Sequence, residues 1–137
     1  MGINKRRDCE ERFRERYAQP TIEAALIVER EAIGANVGAN GFTTLRQADL
    51  LGDRLRLGPA KRLLDIGCGR GWPGIYLAHK SGCQALLMDV PPPALDAAVK
   101  RADEHRLRKR VSVARGSATH LPFAARSFDA ISHTDTL

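Results

Sequence analysis

A chain of 137 residues is the size of one domain, and 43% apolar residues give it matter enough for a core. The net charge is +6, but the Lys and Arg residues are dispersed and aromatics are only 5%. This speaks for a solvated basic surface and against the aromatic stacking series of a single-strand nucleic-acid binder. No apolar run reaches the roughly 18 residues that span a bilayer, and no apolar stretch follows the charged start MGINKRRDCEER, so neither a membrane segment nor a secretory signal is expected.

From the N-terminus, Asn4 to Ala18 reads as a charged helix with a narrow apolar stripe of Cys9, Phe13 and Tyr17. Asp8 with Arg12 and Glu10 with Arg14 have the spacing of i,i+4 ion pairs. A second helix is expected from Thr21 to Ile33, followed by the loop GANVGANG over 34–41. Thr44 and Gln47 have capping-box spacing and open a third helix that runs to about Leu57, where Gly58-Pro59 stops it. The chain therefore divides into a helical lead-in or lid over residues 1–58 and a core over 59–137.

Beyond Pro59 strands and helices alternate. Strands are expected at Arg62–Ile66, Ala85–Val90, Val111–Arg115 and Phe128–Ser132, with helices at Pro73–Lys80 and Ala94–Arg106. Alternation of this kind implies an α/β fold with parallel strands and right-handed crossovers. Cys9, Cys68 and Cys83 are odd in number and widely spaced, so they suggest neither a disulfide framework nor a metal site. A reducing, cytoplasmic setting is expected.

The most specific stretch is Leu63-Leu64-Asp65-Ile66-Gly67-Cys68-Gly69-Arg70-Gly71. A buried strand runs into a glycine turn, and the helix behind it points free N–H groups back at the turn. Asp89 closes the next strand. In an open parallel sheet the two strand ends meet at the crevice where nucleotides bind, and a carboxylate there can accept both hydrogens of a ribose diol. Gly69, Gly71 and Gly74 also spell the dinucleotide fingerprint, with Asp89 at the right distance. In that register Asp65 would set a negative charge near a pyrophosphate. It suits a cationic ligand instead.

LLDIGCGRG resembles the first motif of the class I S-adenosylmethionine (SAM) dependent methyltransferases, and Asp89 resembles their acidic residue after the second strand. Leu121-Pro122-Phe123 and Ser127-Phe128-Asp129-Ala130-Ile131 resemble the run that enters their fourth strand, especially in the small-molecule branch that includes the quinone-biosynthesis enzymes. The resemblance covers residues 61 to 137. Asn40 to Thr44 also resembles the lead-in segment of some small-molecule members.

The resemblance implies a Rossmann-like open parallel sheet, with strand order 3-2-1-4 and helices on both faces, that methylates a small-molecule acceptor with SAM as cofactor. Asp65, Gly67 and Gly69 would line the methionine part of SAM, within a turn that also includes Cys68 and Gly71. Asp89 would bind the ribose, and Val90 would pack on adenine. Ser117-Ala118 stands where the family often has Asp-Ala, and Pro91-Pro92-Pro93 where it has a Ser-containing helix start.

His133, after the fourth strand, is the candidate general base for an acceptor that must lose a proton. The family's sheet has seven strands in the order 3-2-1-4-5-7-6, so this reading expects a chain shortened after the fourth. Its open edge would be met by a partner chain or by self-association. The alternative expectation is a SAM-binding fragment or subunit without turnover of its own.

Overall fold

A computed structural model describes residues 2–136. Three helices come first, α1 (Gly2–Ala18), α2 (Glu23–Ile33) and α3 (Leu45–Arg54). Then follow β1 (Arg62–Ile66), α4 (Gly74–Ser81), β2 (Gln84–Asp89), α5 (Pro92–Glu104), β3 (Val111–Arg115) and β4 (Ala130–His133). The sheet is parallel throughout, in the order β3-β2-β1-β4. The parallel α/β arrangement is the one that the alternation implied, and the Rossmann-like strand order is the one that the resemblance implied.

The central strands are apolar because both their faces are covered. Leu63, Leu64 and Asp65 are all buried, an uninterrupted run that suits an interior parallel strand. Leu63, Leu87 and Val111 meet Ile75, Leu77 and Ala78 from α4 and Leu95, Ala98 and Ala102 from α5 in one core. The helices α4 and α5 touch each other as well as the sheet, so these two crossovers share a face. The crossover from β3 to β4, residues 116–129, contains no helix, so among the described residues the crossover helices lie on one face of the sheet and not on the two that were expected.

Element boundaries follow local chemistry. Thr44 Oγ1 accepts from Gln47 N at 3.3 Å while Gln47 Oε1 accepts from Thr44 N at 2.8 Å, the reciprocal cap read from the sequence. The helix it opens ends at Arg54, short of the expected Leu57. α5 begins at Pro92 rather than Ala94, because prolines fit a first helical turn whose N–H groups have no partner anyway. β4 begins at Ala130, not Phe128. Phe128 instead packs edge-on against Phe123, with ring centroids 5.1 Å apart.

The ion pairs expected on α1 are replaced by another. Arg6 pairs with Glu10 at 3.8 Å, and Arg12 Nε donates to the backbone carbonyl of Asp8 rather than to its carboxylate. Exposed pairs of this kind add little stability. A second, smaller core of Ile33, Ala48 and Trp72 fastens α2 and α3 to the start of α4. Among the described residues no helix is long and apolar enough to cross a membrane.

Candidate functional site

The glycine turn leaves β1 at Ile66 and is tied at once to β2. Gly67 N and Cys68 N both donate to the Met88 carbonyl, at 2.8 and 3.1 Å. Gly69 N donates to Asp89 Oδ2 at 2.7 Å, and Val90 N donates to Asp89 Oδ1, also at 2.7 Å. Each Asp89 oxygen is thus fixed by one backbone N–H and retains acceptor capacity for a ligand. Gly69 has φ +54, and a Cβ there would fall 2.7 Å from the Tyr17 hydroxyl. Only glycine allows both the backbone turn and the close approach of Tyr17.

Two lobes meet at Gly67, Asp89 and Thr136. The narrower, of about 130 Å³, is lined by Tyr17, Asn40, Cys68, Gly69 and Asp135 among others. The wider, of about 420 Å³, is lined by Val90, Ser117, Ala118 and His133, with Arg6 and Cys9 of α1 across from them. The structure therefore brings Gly67, Cys68, Gly69, Asp89, Val90, Ser117, Ala118 and His133 to one cleft. Gly71 lines neither lobe; its carbonyl accepts from Ile75 N at 2.8 Å, in the turn that starts α4.

Asp65 also lines neither lobe. Its carboxylate turns into the protein, where Oδ1 accepts from Ser132 Oγ at 2.7 Å and Oδ2 from Gly74 N at 3.1 Å. Gly74 makes this possible, since a Cβ there would lie 2.6 Å from Asp65 Oδ2. Asp65 joins β1 to β4 and to the start of α4 from beneath the turn. Burial raises its pKa to about 7, against the lowering effect of these two bonds, and the nearby Asp89 adds to the rise. The Cys68 thiol is also pushed well up, first by burial and then by Asp65 and Asp89.

α1 crosses the mouth of the cleft. Arg6 Nη2 donates to Ser117 Oγ at 3.3 Å and to Thr119 Oγ1 at 3.4 Å. At the other end Arg70 lies 5.5 Å over the Tyr17 ring and donates to the Arg16 carbonyl at 3.5 Å. The Tyr17 phenol is raised, mostly by burial, while its bond to Asn40 works the other way. The lead-in loop is clasped by Asp135, whose Oδ2 accepts from Phe42 N, Thr43 N and Thr43 Oγ1 at 3.0, 3.1 and 2.8 Å.

Sequence reading missed Arg6 and Asp135. Arg6 meets Ser117 across 111 positions, which no local spacing announces. Asp135 stands in left-handed backbone at φ +56, a conformation that its residue type permits but does not demand.

Comparison with known proteins accords with this geometry. A family model described as a methyltransferase domain matches residues 63–137. Methyltransferase GfsG of Streptomyces halstedii is 37% identical over 86 residues, covering 63% of this chain and 31% of that protein. The 27-O-demethylrifamycin SV methyltransferase of Amycolatopsis mediterranei is 33% identical, covering 64% and 32% respectively. The chain thus spans about a third of the length of these curated relatives.

Among solved structures, a SAM-dependent methyltransferase from Geobacter sulfurreducens in complex with S-adenosylhomocysteine is 26% identical. Its TM-score is 0.60, over 68% of this chain and 37% of that one. The [4+2]-cyclase SpnF is 34% identical with a TM-score of 0.60, over 63% and 32%.

Proposed function

The chain belongs to the methyltransferase domain family, in its class I SAM-dependent branch, and from that premise we propose that it binds SAM in the two-lobed cleft and passes the methyl group to a small-molecule acceptor. The observation that carries this reading is Asp89. Its carboxylate stands where the lobes meet, held by Gly69 N and Val90 N, with acceptor capacity left for a ribose diol.

The remaining roles follow from position. Val90 and Ala118 offer apolar contact to an adenine ring in the wider lobe, and Ser117 Oγ would accept from its amino group in place of Arg6 Nη2, which it binds here. Gly67 and Gly69 bring bare backbone to the narrower lobe, where the methionine part would lie beside the Thr136 and Tyr17 side chains that cover them, with Cys68 walling the turn. Gly71 shapes the turn into α4, and Asp65 supports it from below. Tyr17, Asn40 and Asp135 line the narrower lobe, and Asp89 and Asp135 against Arg70 leave it net acidic beside a cationic ligand. When bound, SAM supplies a methyl group on a sulfonium for in-line displacement. The protein's task is then mainly alignment, with His133 positioned in the cleft to take a proton where the acceptor must lose one.

Calorimetric titration with S-adenosylhomocysteine and with NAD tests the reading. Saturable binding of the first and none of the second is expected; tighter binding of NAD would overturn it. Turnover is a separate measurement, because the chain spans about a third of its relatives' length. A second reading, a binding subunit without turnover of its own, predicts normal S-adenosylhomocysteine affinity and no methyl transfer to any acceptor.

A further inference from the structure

A third cavity, of about 430 Å³, adjoins the cleft and shares Gly38, Asn40 and Arg70 with its narrower lobe. Pro20, Ala25 and Leu26 give it an apolar side, and Arg16, Arg70 and Arg101 a cationic one.

The Arg101 guanidinium lies against Gly38, where a Cβ would fall 3.0 Å from Nη1, 3.1 Å from Cζ and 3.2 Å from Nε. Gly38 has φ +71, so a glycine both allows that turn and leaves a slot for the guanidinium. The half-buried Arg101 donates from Nη2 to the Asn36 carbonyl at 3.4 Å. Among the described residues no carboxylate stands within 4.0 Å of Arg16, Arg70 or Arg101.

Glu29 is the cavity's lining carboxylate, and its Oε1 is engaged by Val37 N at 3.0 Å and Ala39 N at 2.6 Å. Burial lowers the Arg101 pKa, the charges of Glu29 and Glu104 oppose that, and Arg70 adds to it. A planar fork of donors, partly desolvated and with no carboxylate in ion-pair contact, matches a carboxylate or phosphate group.

We propose that this cavity is an acceptor subsite for an amphipathic anion, with a carboxylate or phosphate held by Arg101 and Arg70 and an apolar body lying along Pro20, Ala25 and Leu26. The assignment rests on the cofactor reading above, since it is the adjoining cleft that makes this an acceptor's position.

The test is calorimetric titration of the whole chain, loaded with S-adenosylhomocysteine, using octyl phosphate, nonanoate, octanol and inorganic phosphate at fixed ionic strength. At least one of the two anionic amphiphiles should bind saturably, at least tenfold tighter than octanol and than inorganic phosphate. Arg101→Gln should weaken it at least tenfold and leave S-adenosylhomocysteine affinity within twofold. Arg101→Lys should fall between, and it replaces the Gln variant if that one fails to fold by circular dichroism.

Octanol binding as tightly as the anions, inorganic phosphate matching both amphiphiles, or indifference to the Arg101 variants would each overturn the proposal. S-adenosylhomocysteine affinity is measured first. Its absence would sink the cofactor reading alone, because titrating the unliganded chain still reports whether Arg101 binds the anion.

Discussion

Asp65 and Asp89 stand on adjacent parallel strands at the same turn, yet their surroundings set them apart. Asp65 is wholly enclosed, and its pKa is raised from 3.8 to about 7. The folded state therefore holds a proton between about pH 4 and 7 that the unfolded chain has released. The stabilisation linked to this proton is fully present below the unfolded value and is lost as pH rises through about 7. Asp65→Asn can accept from Gly74 N and donate to Ser132 Oγ, so it should flatten the fall in urea midpoint between pH 5 and 8. An unchanged slope would assign the pH dependence elsewhere.

Asp89 faces the cleft. Asp89→Ala should weaken S-adenosylhomocysteine binding by about 1.5–3 kcal/mol, the range for hydrogen bonds to a charged group, or roughly tenfold or more. Unaltered affinity in a folded variant would remove Asp89 from the ribose role.

At the scale of elements, the α3 cap was legible because capping chemistry is local to four residues. Thr44→Ala should cost about 1 kcal/mol, within the usual 0.5–2 kcal/mol for a lost cap, read as a lower urea midpoint. No loss would mean that the Trp72 and Ala48 packing alone sets the start of α3.

The glycine turn and the first three strands were legible for the same reason, each being written in a short run of residue types, while the strand order came with the family resemblance. The place of Asp65 was not. The alternation of β1 sends residue 65 to the face where α4 begins, and Gly74 is the residue that admits it there. Nor was the path of α1 legible, since its bonds to Ser117, Thr119 and Arg70 join residues far apart in the chain. Its apolar stripe was read from spacing, but the surface that it meets could not be.

For the molecule as a whole, the sheet ends in two edge strands, β3 and β4. β4 pairs with β1, and among the described residues nothing pairs with its other side; Ile131, on this strand, is 51% exposed. An edge of this kind invites another strand. The 137-residue chain is therefore expected to self-associate with rising concentration, and Ile131→Lys to suppress this, both followed by light scattering. A wild-type chain that stays monomeric at high concentration would show that the edge is protected.

The Asp135 clasp carries a kinetic corollary. It joins residues 92 and 93 positions apart, and contacts of such long range form late, after loop-closure entropy has been met. The clasp can therefore let go while the sheet stays intact, as a sub-global opening of the native state. A molecule enclosed beneath α1 and the 40–43 loop would leave no faster than that opening allows, so its dissociation rate would serve as a clock for the clasp. Speeding the release by Asp135→Ala, with the equilibrium unfolding midpoint nearly unmoved, would be the signature of a gate that runs on its own timescale.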